Sequence, residues 1–241
     1  MEDKTKLDIL NHAKEHFYMS PARECCGLII IEKGKEKFFP CKNDSQDPKS
    51  FIINPGDYAI AESKGTIVSV VHSHCFERAI PSQIDLVSCE NSKLPWHIVS
   101  LPNEEWHYFE PSGYKASLVG RQYQYGVLDC YTLVVDWYKE NFGIQLNEHL
   151  GRPDKWWLDG KSLFMDGFKQ EGFERIDIEK IQHGDVVIMQ VGANVPNHVG
   201  VYLKGDILLH HHQGRLSTRD VYGGYYRKHT VCAVRHSGVK L

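Results

Sequence analysis

The feature that most constrains the fold of this chain is Pro111-Ser112-Gly113, a turn-forming triplet near the middle of 241 residues. Before it, the pattern alternates helices with strand-sized apolar runs; after it, a helix comes first and short strands follow. A chain of this length with 41% hydrophobic residues exceeds the usual size of one domain and can form two cores. The sequence therefore predicts two α+β domains, residues 1–112 and 113–241.

Hydrophobic periodicity gives the order of elements in the first domain. Apolar residues at helical spacing from Leu7 to Phe17 predict a helix that ends at Ser20-Pro21. Further helices are predicted from Asn54-Pro55 to Gly65 and from Ser82, a capping residue, to Glu90. The strands are predicted at 26–31, 38–41, 66–71, 96–101 and 105–109.

The second domain begins with a predicted helix from Asp129 to Gly143, whose apolar residues recur at helical spacing. Short helices are predicted across residues 154–172. Glycine turns then separate predicted strands, which favours a small antiparallel sheet or barrel. These strands are 186–190, 198–203, 206–212 and 230–235.

Composition excludes several classes of function. A net charge of −3 without a long Lys/Arg run gives no electrostatic basis for binding nucleic acid or anionic membrane. The longest apolar runs are strand-sized, and the charged start lacks an apolar export signal. The seven cysteines show no CxxC spacing, so we expect them to be mostly reduced core residues. A soluble protein that folds in a cytoplasm is expected.

A first group of polar residues predicts a metal site. His72 and His74 stand at i and i+2 after a buried strand, so their imidazoles project from the same side. Asp85, in the first turn of the next helix, adds an oxygen ligand. Two histidines and one carboxylate, with a fourth position for water, form a catalytic zinc arrangement in which the water pKa falls to about 7.

The pattern Glu24…His72-Ser73-His74…Pro81-Ser82-Gln83-Ile84-Asp85 resembles the signature of the JAMM (MPN) metalloproteases. The resemblance implies an α/β sandwich in which His72, His74 and Asp85 bind one Zn²⁺. It also implies that Glu24 is the general base and that Ser82 stabilises the oxyanion. The sequence departs from the family at Cys75, where many members carry proline. Two alternatives are a polar strand end beside a helix cap, and an inactive scaffold of the same fold.

A second group predicts a nucleophile. Cys130 falls at the start of a helix, where the exposed N–H groups and the macrodipole favour a thiolate. Such a cysteine requires a base, and histidine is the usual one. His198 and His210 lie on successive predicted strands, so antiparallel pairing would place them side by side, with His210 orienting His198.

Four motifs of the second domain together resemble the NlpC-type cysteine peptidases, which are papain-like. The resemblance implies that Cys130 is the nucleophile, His198 the base and His210 the orienting residue. It also implies that Tyr123 donates to the oxyanion. The motifs are Leu128-Asp129-Cys130, His183-Gly184-Asp185, Asn197-His198-Val199-Gly200 and Leu208-Leu209-His210.

The alternative for Cys130 is a small buried hydrophobic residue. His211 and His212 are interpreted as a solvated or adventitious metal-binding tract, and the other six cysteines as packing residues. Trp156 and Trp157 are interpreted as core or interdomain contacts, although aromatic pairs also line grooves.

The two families joined in one short chain resemble a family of phage tail-tip proteins. This resemblance implies assembly in the host cytoplasm, other tail-tip proteins as partners, and a place in the virion tail. The substrates it implies are peptidoglycan stem peptides, cleaved at DNA entry by the cysteine site, and a tail protein, processed by the zinc site. A structural tail-tip component with vestigial or docking-only sites is one alternative. A bacterial protease for ubiquitin-like modifiers is another.

Overall fold

The structure is a computed structural model that describes residues 1–149, 152–153 and 155–239. The chain divides into two units, Met1–Lys115 and Ala116–Leu241. Each unit combines helices with one sheet, so the predicted two-part α+β architecture is confirmed. Within the described ranges, none of the helices has the length and apolarity needed to cross a bilayer.

The first unit contains one five-stranded mixed sheet. Its strand order is β2-β1-β3-β4-β5, and all neighbours are antiparallel except β3 and β4. The elements are α1 (Asp3–Met19), β1 (Cys26–Glu32), β2 (Lys35–Cys41), α2 (Pro55–Lys64), β3 (Thr66–Cys75), α3 (Gln83–Ser92), β4 (Trp96–Leu101) and β5 (Glu105–Phe109).

Helices cover both faces of this sheet. Alternate residues of β1 point to opposite faces, so they pack against different helices. Leu28 and Ile30 pack with Ala61 of α2 on one face. Ile29 packs with Ile9 of α1 on the other face. Strand β1 is therefore buried on both sides, which explains its unbroken apolar sequence.

Strand β3 is longer than predicted, because both of its neighbours continue the hydrogen-bonded ladder past residue 71. His72 is paired with Cys26 of β1 and Ile98 of β4, and His74 is paired with Ser100. The two histidines therefore lie inside the strand, and not in the loop that follows it.

The second unit places a helix against a six-stranded antiparallel sheet with the strand order β10-β9-β8-β7-β11-β6. Its helices are α4 (Cys130–Phe142), α5 (Leu163–Gly167) and α6 (Gly224–His229), with 3₁₀ turns at Trp156–Asp159 and Ile178–Lys180. Its strands are β6 (Phe173–Ile176), β7 (Val186–Met189), β8 (His198–Leu203), β9 (Ile207–His210), β10 (Thr218–Val221) and β11 (Thr230–His236).

The prediction for this unit was correct in outline and wrong in several details. Two short helical segments lie between 155 and 172, whereas residue 154 falls outside the described residues. Strand β9 ends at His210, so the predicted strand to residue 212 was too long. The short elements β6, β10 and α6 were not predicted, because none of them carries a continuous apolar stripe.

Helix α4 begins and ends as its sequence predicts. The Asp129 carboxylate accepts hydrogen bonds from the N–H groups of Tyr131 and Thr132, which caps the N-terminus. Gly143 ends the helix with φ of 68°, a left-handed conformation that favours glycine. The buried side of α4, with Leu133 and Val134, packs on the sheet, so Cys130 in the first turn is fixed against it.

Candidate functional site

The first candidate site is formed where β3 meets the start of α3. His72 and His74 point the same way from β3, and their Nε2 atoms are 3.1 Å apart. The Asp85 carboxylate approaches from α3, with oxygens 3.3 Å from His72 Nε2 and 3.5 Å from His74 Nε2. All three residues are buried, so the structure brings the three predicted ligands together.

Neighbouring groups hold the two imidazoles in position. His74 Nδ1 donates to the Arg78 carbonyl at 3.0 Å, which leaves the lone pair of Nε2 directed at the other two residues. The ring of Phe51 stacks on His72 with centroids 4.6 Å apart. Trp96 meets the same imidazole edge-on. These contacts therefore fix the orientation of the two imidazoles.

Asp85 is held by the helix start. The Ser82 N–H donates to Asp85 Oδ2 at 2.7 Å, and the Asp85 N–H donates to Ser82 Oγ at 3.2 Å, a reciprocal capping box. Burial opposes ionisation of Asp85, but the charge and hydrogen bonds of His72 and His74 hold its pKa well below the usual range. The ligand oxygen therefore carries a negative charge at neutral pH.

The donor set fits a zinc ion. Bonds of about 2.0 Å to a tetrahedral ion would separate its ligand atoms by roughly 3.3 Å, which matches the separations seen between the three side chains. Burial alone would lower the pKa of His74, but hydrogen bonds to Asp85 and the Arg78 carbonyl raise it to about 9. Without a cation, His74 therefore carries a second proton, which it shares with Asp85.

Glu24 and Ser82 lie at this site as well. Glu24 stands just before β1 and is only 8% exposed. Burial raises the pKa of its carboxyl to about 8, and the charge of His74 partly offsets that rise. Ser82 Oγ already accepts the Asp85 N–H, so its own hydroxyl proton remains available to donate. The roles of Glu24 as general base and of Ser82 as oxyanion donor stay predictions.

The second candidate site lies where α4 meets β8. Cys130, in the first turn of α4, receives a hydrogen bond from the Val199 N–H on its sulfur. Cys130 and His198 both line a pocket of about 170 Å³. The nucleophile and base predicted from the sequence are therefore brought together across the contact between helix and sheet.

A chain of hydrogen bonds runs from His198 to a carboxylate. His198 Nε2 lies 3.0 Å from His210 Nδ1, and His210 Nε2 lies 3.1 Å from Asp220 Oδ2. Because the carboxylate only accepts, His210 carries its proton on Nε2 and accepts the His198 Nε2–H at Nδ1. This assignment leaves His198 Nδ1 unprotonated, as a general base requires.

Burial keeps this second site neutral. The pKa of the Cys130 thiol is raised to about 12, first by burial and then by the Asp129 carboxylate. Burial also lowers the pKa of His198 well below its ordinary value. The helix N-terminus was predicted to favour a thiolate at Cys130, and burial opposes that influence.

Asp220 was missed by sequence reasoning. It lies on β10, a four-residue strand whose polar sequence gives no periodic signal. Its carboxylate also accepts the Tyr226 hydroxyl at 2.8 Å, so its orientation is fixed from a second side. In the folded strand Thr218 and Asp220 are partly buried and their neighbours are exposed, but the residue types Thr-Arg-Asp-Val do not show this alternation.

The other aromatic residues discussed from the sequence of the second domain line the same pocket. Tyr123 lines it and meets the ring of His211 edge-on, with centroids 5.1 Å apart. Trp156 and Trp157 also line it, so they contribute to a groove wall. His211 is fully buried, and burial lowers its pKa to about 4. The interpretation of His211 as solvated was therefore wrong, because it packs beneath the pocket.

Comparison with known proteins gives a family match for each unit. Residues 4–110 match the family of prokaryotic homologs of the JAB domain, and residues 120–235 match the NlpC/P60 family. A solved JAB1/MPN domain protein from Archaeoglobus fulgidus is 21% identical, covers 47% of this chain and 90% of its own, and has a TM-score of 0.29.

The chain thus joins two domains of peptidase-related families. Tail tip assembly protein K of Escherichia phage N15 is 39% identical over 100% of this chain and 97% of its own length. Its counterpart in Escherichia phage lambda is 34% identical over 76% of this chain and 89% of its own. The chain belongs to the family of phage tail tip assembly protein K.

Proposed function

We propose that this protein acts in the assembly of a phage tail tip and carries two peptidase sites. Its relatives are named for tail tip assembly, and both halves match peptidase-related families. The observation that carries the proposal is the hydrogen-bonded chain from His198 through His210 to Asp220, beside Cys130. A cysteine buried only for packing would not need a hydrogen-bonded histidine in the same pocket.

The cysteine site would act by acyl transfer. The Cys130 sulfur attacks a scissile carbonyl, and its proton passes to His198 Nδ1. The positive charge that forms on His198 is stabilised through His210 by the Asp220 carboxylate. The proton then goes to the leaving amine, and water hydrolyses the thioester. Tyr123, which lines the pocket, would donate to the oxyanion.

The substrate proposed for this site is a stem peptide of bacterial peptidoglycan, as the likeness to NlpC-type peptidases implies. The protein would then open the wall locally at DNA entry. The aromatic wall formed by Tyr125, Trp156 and Trp157 supports this, because such a wall can bind the aliphatic parts of a peptide.

The metal site would act on a different substrate, a tail protein processed in the host cytoplasm during assembly. Zinc held by His72, His74 and Asp85 would supply Lewis-acid polarisation of a carbonyl. Glu24, whose raised pKa lies near neutrality, would transfer a proton at the reacting centre. Ser82 would donate its hydroxyl proton to the oxyanion.

The test is mass spectrometry of fragments released from purified peptidoglycan by the full chain, loaded with one zinc ion and no excess. Cys130→Ala is expected to abolish release, whereas His72→Ala retains it. Cys232→Ala, which changes another buried cysteine of the same unit, serves as the matched control and retains release. Release that survives in Cys130→Ala would exclude the cysteine site as its source.

A second function is favoured by the burial of Cys130, which is only 8% exposed. In that case the protein is a structural tail-tip component whose pockets only dock partners. It predicts no fragment release by any variant, together with no alkylation of Cys130 in the folded protein. Alkylation of Cys130, with fragment release, would exclude it.

A further inference from the structure

Three histidines surround the base of the cysteine site, and only two of them belong to the hydrogen-bonded chain. The third, His212, stacks on His198 with ring centroids 4.3 Å apart and an interplanar angle of 21°. One ring nitrogen from each of His198, His210 and His212 lies within 4.8 Å of the others. The mechanism proposed above gives His212 no task.

The separation between the His198 and His210 nitrogens suits a metal ion. The Nε2 of His198 and the Nδ1 of His210 are 3.0 Å apart, close to the 3.1 Å between the two histidines of the first candidate site. The roughly 3.3 Å expected between ligands of tetrahedral zinc is within a small ring rotation of both values. Imidazole nitrogen is also a preferred ligand of zinc, copper and nickel.

Two further features favour binding. The Nε2–H of His210 donates a hydrogen bond to the Asp220 carboxylate, and this carboxylate–histidine arrangement orients metal-ligating imidazoles and strengthens them as ligands. His212 is partly exposed and lines the pocket, so an ion can reach the cluster from solvent. An ion could therefore enter from the pocket, and Asp220 would hold one of its ligands in place.

We propose that His198, His210 and His212 form a second metal site, which binds a divalent ion of the zinc class and switches off the cysteine site. The ion would occupy His198 Nε2 in place of the hydrogen bond to His210. The imidazole would then carry its proton on Nδ1, the nitrogen that serves as the base in the proposed mechanism, and could not accept the thiol proton. The inhibitory part rests on the proposed peptidase function, whereas the binding part does not.

Metal content separates this cluster from other zinc sites. The full chain, prepared without a histidine tag, is dialysed against ZnCl₂, and the bound zinc is counted by plasma mass spectrometry. Two ions per chain are expected. Asp85→Asn is expected to remove one of them, and His198→Ala or His212→Gln the other. Binding of only one ion by the wild-type chain would overturn the proposal.

Two variants test which atoms hold the second ion. His211→Gln changes the neighbouring histidine of the same tract, whose ring faces Tyr123, and is expected to keep both ions. Cys130→Ala is also expected to keep both. Loss of the second ion in His211→Gln would assign it to an adventitious sequence tract. Loss in Cys130→Ala would assign it to the thiolate, and either result would refute the cluster.

The inhibitory part is tested by the rate at which iodoacetamide labels Cys130, with and without zinc, compared within each variant. The ion is expected to slow labelling at least tenfold in the wild-type chain, and the ratio is expected to fall towards one in His212→Gln. Equal protection in both proteins would overturn the switch. Absence of peptidoglycan cleavage would refute the proposed function but leave both the zinc count and the labelling ratio unchanged.

Discussion

The two candidate sites differ in the charge of their buried polar groups. In the first, Asp85 is ionised and His74 has a raised pKa, so charge is concentrated among closely spaced side chains. In the second, burial raises the pKa of Cys130 and lowers that of His198, so both groups are neutral. The first site therefore holds buried charge, whereas the titratable groups of the second site are uncharged.

The difference follows from where the carboxylate that pairs with the histidines of each site lies. Asp85 is in direct contact with both histidines of the first site, at 3.3 and 3.5 Å. In the second site the carboxylate of Asp220 lies beyond His210 and touches neither His198 nor the thiol in the hydrogen-bonded chain. A directly bound carboxylate favours a permanent positive partner, whereas one placed a ring away stabilises a transient one.

Removal of the Asp85 charge should have the largest effect on this contrast. Asp85→Asn is expected to weaken zinc binding at the first site by more than about a hundredfold, beyond the usual loss from changing an outer-shell residue. The measurement is competition with a chromophoric chelator. Glu62→Gln, an exposed change on α2, is the control and should bind as the wild type does. Unchanged affinity in Asp85→Asn would remove this residue from the ligand set.

The neutral state of the second site is tested by pH. Because burial raises the thiol pKa to about 12, the thiolate fraction is small at pH 7 and increases with pH. Alkylation of Cys130 by iodoacetamide, with a chelator present, should therefore rise about tenfold per pH unit from 7 to 9. Subtraction of Cys130→Ala labelling corrects for other cysteines. A plateau that starts below pH 7 would instead indicate a preformed thiolate–imidazolium pair.

Asp220→Asn tests the indirect carboxylate. Hydrogen bonds to charged groups are worth about 1.5–3 kcal/mol, so the rate of stem-peptide release should fall about ten- to hundredfold. The pH optimum should also move, because the variant removes the negative charge that His210, the hydrogen-bond partner of His198, contacts. Asp206→Asn is the matched control, since Asp206 also accepts a tyrosine hydroxyl, that of Tyr202 at 2.7 Å. Equal losses in both variants would indicate a structural role only.

The sequence predicted groups that lie close along the chain or at fixed spacing. His72 and His74 share one strand face, and Ser82 with Asp85 forms the capping box that their spacing predicts. Helix α4 was predicted because its cap and apolar stripe are both local. In these cases the interactions that form the structure connect residues within about one helical turn or a few strand positions.

Long-range contacts account for what was missed. The burial that raises the pKa of Cys130 comes from the strands packed against α4 and from distant loops that carry Trp156 and His211. Asp220 reaches His210 only because β10 pairs with β9, which places Thr218 opposite His210. No spacing rule connects these residues, so their contribution emerges only from the folded chain.

The smallest expected effect separates the two roles of Ser82. Its Oγ caps α3 by accepting the Asp85 N–H, and loss of such a cap costs about 1 kcal/mol of unfolding free energy. Ser82→Ala should therefore destabilise the first unit by about that amount in urea unfolding of the zinc-free chain, whereas Ser82→Asn, which retains a capping oxygen, should not. If Ser82 acts only as a cap, Ser82→Asn keeps any zinc-dependent cleavage. If its hydroxyl proton also serves the oxyanion, both variants lose cleavage, and only Ser82→Ala loses stability.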